Sequence, residues 1–133
     1  MYILNMNEKC IDISKLNEAL SLLNEQLFLE GAESVHLVVC GGSALIATGL
    51  VPRTTQDVDV VALMDDGILK DPAPFPEKLV RAAKTTADLL NLPEDWLNSG
   101  PADLFRMGLP DGFVERLQKK IVGECLVMHF VSR

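Results

Sequence analysis

Leu16, Ala19, Leu20, Leu23 and Leu27 recur at spacings of three and four. That spacing predicts an amphipathic helix, with a cap offered by Asp12-Ile13-Ser14 and an end near Gly31. Glycine suits the left-handed position that follows a helix. The pattern then changes. Val35 to Cys40 reads Val-His-Leu-Val-Val-Cys, a continuous apolar run with β-branched residues, as a buried strand requires. Gly41-Gly42 breaks it, and Ser43 to Thr48 is short, Ala-rich and helical in character, closing at Gly49. Pro52 to Gln56 is a polar loop, and Asp57 to Leu63 alternates into a second strand.

Asp65 to Pro76 contains Asp66, Gly67 and three prolines and reads as a loop. Glu77 to Leu92 is a second amphipathic helix with Leu79, Ala83, Thr86 and Leu90 on one face, and Glu77/Arg81 and Lys84/Asp88 as opposite-charge pairs on the other. Asn91 to Pro110 is irregular, with a short helix expected after Pro101. Phe113 to Ile121 fits helix slightly better than strand, and Leu126 to Val131 is a third strand. No internal repeat is visible. The expected fold is α+β with α/β-like alternation: a small mixed sheet flanked by helices.

Composition narrows this picture. A chain of 133 residues is expected to form one domain over its whole length. Hydrophobic residues at 48% and charged residues at 23% exclude a disordered chain. No apolar run reaches the roughly 20 residues of a membrane span, and Met1 to Cys10 lacks the layout of a signal peptide, so a cytoplasmic protein without membrane contact is expected. The formal net charge of −7 argues against sequence-independent nucleic-acid binding through bulk charge. Cys10, Cys40 and Cys125 match no zinc spacing, and the last two sit in apolar runs as buried thiols.

The candidate chemistry lies between the first two strands. Alternation along a strand puts Asp57 and Asp59 on one face, roughly 7 Å apart at Cα, with Val58 and Val60 on the other. Two carboxylates so close repel each other, and a cation between them removes that cost. Mg²⁺ favours a few carboxylates completed by water and substrate phosphates. Gly41-Gly42-Ser43 precedes them, where glycines admit a ligand close to the backbone and a helix N-terminus favours phosphate. Ser43 adds a hydroxyl donor or simply caps the helix. A dinucleotide-binding loop is excluded, because Gly41, Gly42 and Gly49 do not make Gly-x-Gly-x-x-Gly.

Val39-Cys40-Gly41-Gly42-Ser43 followed by Thr54-Thr55-Gln56-Asp57-Val58-Asp59-Val60 resembles the signature of the nucleotidyltransferase superfamily with the polymerase-β-type minimal fold. The likeness is closest to a small prokaryotic branch that includes abortive-infection-type toxins. It extends more loosely through Trp96-Leu97-Asn98 and Leu109-Pro110 to the last strand. The resemblance implies transfer of a nucleoside monophosphate from a nucleoside triphosphate to a hydroxyl of RNA, protein or a small molecule. Gly41, Gly42 and Ser43 would bind the phosphates, with Arg53 and Thr55 beside them, and Asp57 and Asp59 would hold Mg²⁺ or Mn²⁺. It further implies tRNA or another RNA as a plausible acceptor and a cognate antitoxin or a second copy as partner.

Superfamily members usually add a third carboxylate from a neighbouring strand. Leu126 to Val131 contains none, and His129 in its middle is either a metal ligand or a packed residue. Members also usually continue into a further basic helix, whereas this sequence ends at Arg133. The expectation is therefore either a C-terminally shortened domain or one that takes cover from a partner. Two functions stay open: an active transferase, and a catalytically inactive relative that binds a nucleotide or a partner protein.

Overall fold

The computed structural model describes residues 13–40 and 58–131. Helix α1 spans Ile13–Leu29 and buries Leu16, Ala19, Leu20, Leu23 and Leu27, the stripe read from the sequence. It ends in a paired turn. Gly31 takes φ +74°, its N–H donates to the Phe28 carbonyl, and the Ala32 N–H donates to the Leu27 carbonyl, each at 3.0 Å. Two carbonyls left over at the helix end are thereby satisfied.

Strand β1 is Val35–Cys40 and β2 is Val58–Asp65. Asp66 and Gly67 then turn the chain, both at positive φ (54° and 78°), into β3, Ile68–Lys70. This corrects the expected loop over 65–76. Asp-Gly is a two-residue hairpin signal, because both central residues of such a turn need positive φ. Helix α2, Glu77–Leu90, buries Leu79, Ala82, Ala83, Thr86 and Ala87 and carries the Glu77–Arg81 ion pair at 2.9 Å. After it come β4 (Leu97–Asn98), α3 (Ala102–Arg106), a 3₁₀ turn (Val114–Arg116), β5 (Leu117–Ile121) and β6 (Leu126–Val131).

The helical reading of 113–121 is thus corrected to a turn and a strand. Leu-Gln-Lys-Lys-Ile has apolar ends four apart, which fits a helix as well as a strand. Antiparallel pairing with β6, from Leu117 opposite Val131 to Ile121 opposite Val127, decides the matter.

Sheet order is β3-β2-β1-β6-β5, with β4 also pairing β2. β1 runs antiparallel to β2 and parallel to β6, so the sheet is mixed. One face packs against α1 and α2 through Leu37, Val39, Val58, Val60, Leu126 and Met128. The other carries Val38, Val61 and Ala62 and is covered by Phe105, Leu109, Phe113 and Leu117. Among the described residues this makes three helices and a six-stranded sheet, an α+β fold. No described helix is long and apolar enough to cross a membrane.

Candidate active site

β2 enters the sheet with Val58 and Val60 fully buried against the helices. Alternation puts Asp59 between them on the opposite face, where it is half-buried. The register then slips. Val39 faces Val60 while Val38 faces Ala62, so Val61 is an extra residue in a β-bulge. The bulge explains how the apolar run Val60 to Leu63 fills both faces. Val61 and Ala62 share the second face, and Leu63 returns to the first.

A row of polar groups crosses the sheet at Asp59. On one side its Cα partner is Cys40, the last residue of β1. On the other it is Asn98 of β4. Asn98 Nδ2 donates to Asp59 Oδ1 at 3.2 Å. No Lys or Arg among the described residues pairs with this carboxylate. A half-buried carboxylate held by a neutral donor, with no cationic partner among the described residues, has the chemistry of a cation ligand, because a cation offsets the cost of burying its charge. Cys40 contributes no charge: burial, and secondarily the Asp59 carboxylate, push its thiol up and keep it protonated. Among the described residues no three His, Cys, Asp or Glu side chains gather around one point. A metal at Asp59 would draw its further ligands from residues outside the described ones, from water or from substrate.

His129 belongs to a different group. It sits opposite Val38, two residues short of the Asp59 row and on the far side of β1. Its Nε2 and His36 Nδ1 lie 2.9 Å apart and share a hydrogen, with the rings stacked at 26°. His36 Nε2 in turn lies 3.3 Å from the Ser34 hydroxyl. Burial first, then the His36 and Lys119 charges, hold His129 below the ordinary imidazole range.

The grooves at two other places on the described surface do not include Asp59. One, of about 450 Å³, lies between Phe28 and Leu29 of α1 and Gly123 to Cys125. The other, of about 550 Å³, lies at the opposite end of β1 and β2, between His36, Met64, Lys78 and Arg81.

Residues 14–132 match the family described as a nucleotidyltransferase of unknown function, DUF6036. The chain belongs to this family. Comparison with curated proteins and with solved structures finds no match. The matched span contains the whole Asn98–Asp59–Cys40 row and all the residues that sequence reasoning assigned to the site.

Of those residues, Asp59 and His129 are described, on β2 and β6, and the register does not bring them together. Gly41, Gly42, Ser43, Arg53, Thr55 and Asp57 lie outside the described residues, as do the short helix expected over 43–48 and the loop expected over 52–56. The described residues that adjoin them in the sequence are Cys40, the last of β1, and Val58, the first of β2. Antiparallel pairing puts these two residues of this DUF6036 nucleotidyltransferase at the same end of the sheet. Asn98 is the residue that sequence reasoning missed. Its signal was the Trp96-Leu97-Asn98 run, in which a buried aromatic and a buried leucine are followed by an amide that must face the other way.

Proposed function

We propose that this DUF6036 nucleotidyltransferase transfers a nucleoside monophosphate from a nucleoside triphosphate to an acceptor hydroxyl. The observation that carries this is the Asn98–Asp59–Cys40 row, with the two glycines next along the chain from Cys40 and the second aspartate just before Val58. Asp57 and Asp59 are the residues to hold Mg²⁺ or Mn²⁺. Bound there, the cation would neutralise phosphate charge and favour ionisation of the attacking hydroxyl. Backbone N–H groups at Gly41 and Gly42, with the Ser43 hydroxyl, cradle the phosphates, and Arg53 and Thr55 add donors from the segment before β2. The acceptor oxygen forms its bond to the α-phosphorus as the bond to the bridging oxygen breaks. Pyrophosphate leaves, and the hydroxyl proton passes to water. RNA, with tRNA foremost, is the acceptor proposed first, in keeping with the likeness to abortive-infection-type toxins.

A catalytically inactive relative that binds a nucleotide is the second reading. One observation favours it. β6 lies beside β1 in the sheet, yet its residues are apolar apart from His129, and no acid stands level with Asp59.

One assay separates them. The protein is incubated with Mg²⁺, cellular RNA and each α-labelled ribonucleoside triphosphate in turn. An active transferase labels the acceptor and releases pyrophosphate with at least one of the four. Asp59→Ala should lower that rate by well over ~100-fold, beyond the effect usual for outer-shell partners. Binding of a triphosphate with no pyrophosphate from any of them assigns the inactive relative.

A further inference from the structure

We infer that Asn98 is a positioning residue for the metal-binding carboxylate, and that residues 96–100 form a bracket that fixes its amide. The Asn98 amide has three contacts. Nδ2 donates to Asp59 Oδ1 at 3.2 Å and, more weakly, to the Asp95 carbonyl at 3.5 Å. Oδ1 accepts the Gly100 N–H at 2.8 Å. The last contact settles which way the amide points. Turned over, it would set oxygen against the Asp59 carboxylate and an NH₂ group against the Gly100 N–H, two repulsive contacts in place of two bonds.

Each neighbour supports that orientation. Trp96 is fully buried, and its indole Nε1 donates to the Ala83 carbonyl of α2 at 2.9 Å. The Val58 N–H donates to the Trp96 carbonyl, which pins the segment to β2 one residue before Asp59. Leu97 lies beside Val58 on the helix-packed face, so Asn98 must lie beside Asp59 on the other. Gly100 leaves room for the amide: a Cβ there would stand 2.9 Å from Asn98 Oδ1, closer than real Cβ contacts allow.

The choice of an amide follows from charge. A Lys or Arg at this position would neutralise Asp59 and compete with the cation. An Asp or Glu would repel it. Asparagine holds one carboxylate oxygen without changing the charge and leaves the other for the metal, as outer-shell partners do.

Because this rests on Asp59 being a metal ligand, the test measures metal directly. Mn²⁺ alone is titrated into the full chain, and free and bound ion are distinguished by electron paramagnetic resonance. The parent binds Mn²⁺, and Asp59→Ala abolishes binding. Asn98→Ala weakens it by about 10- to 100-fold. Gly100→Ala, which does not touch Asp59, weakens it several-fold by displacing the amide, and it carries the test where Asn98→Ala fails to fold. Leu23→Ala, buried in α1 on the sheet face opposite Asp59, destabilises the fold yet leaves Mn²⁺ affinity unchanged, so the loss is not a general effect of instability. Parent-like affinity in Asn98→Ala, with Asp59→Ala inactive in binding, overturns the positioning role alone. A parent that binds no Mn²⁺, or an Asp59→Ala variant that binds as the parent does, overturns the metal site and the positioning role together.

Discussion

Two polar side chains in this sheet, Asp59 and His129, are accommodated in different ways. Asp59 is half-buried and takes a neutral donor, Asn98. His129, 7% exposed, is joined to His36 by a shared hydrogen. The two solutions respond differently to acid. His129 is held below the ordinary imidazole value of about 6.5, first by burial and then by the charges of His36 and Lys119. The unfolded chain therefore takes up a proton at this residue at a higher pH than the folded chain does. Its effect on stability is absent above the unfolded value and grows as pH falls through it, until the folded residue is itself protonated. Urea unfolding between pH 7.5 and 5.5 should show stability falling with pH, and His129→Gln should flatten that fall. An equal slope in both proteins would place the pH dependence elsewhere.

The two-residue strand β4 shows what short elements need in order to persist. Two backbone partners cannot hold a strand alone, and the anchor is Trp96, the chain's one tryptophan. Its ring lies in the core shared by α1, α2 and the sheet, and its N–H reaches the Ala83 carbonyl. Trp96→Ala should cost about 3–5 kcal/mol, the range for removing a large buried aromatic. Circular dichroism in urea measures this, since the variant has no tryptophan left to report by fluorescence. A loss under about 1 kcal/mol would mean that β4 is held by other contacts. The longer elements were legible from sequence because burial writes itself into their pattern. α1 and α2 repeat at three and four, and β1 and β6 are apolar runs interrupted by one histidine each. β3, β4 and β5 were not legible. Their residues are polar or few, and their strand state comes from the partner they lie against. The bulge at Val61 was hidden too, since an apolar run does not reveal which residue is the extra one. At the site, alternation alone put Asp59 opposite Val58 and Val60, whereas Asn98 lies 39 residues further on and only the pairing of β4 with β2 brings it there.

At the scale of the whole molecule, topology does the gathering. Two helices cover one sheet face, and the antiparallel pairing of β1 with β2 puts the end of one and the start of the other at the same end of the sheet. The family match over 14–132 spans both strands and the elements that support them. The net charge of −7 gives the chain no general attraction for polyanions, so nucleotide binding has to come from local groups and a divalent cation. Thermal unfolding with and without ligand tests this most directly. A ligand present at a hundred times its Kd stabilises the folded state by about 2.7 kcal/mol, a shift of several degrees in a domain of this size. At least one ribonucleoside triphosphate with Mg²⁺ should raise the Tm by that much, omitting Mg²⁺ should remove the shift, and Asp57→Ala combined with Asp59→Ala should remove it too. No shift with any of the four, or an undiminished shift in the double variant, would contradict it.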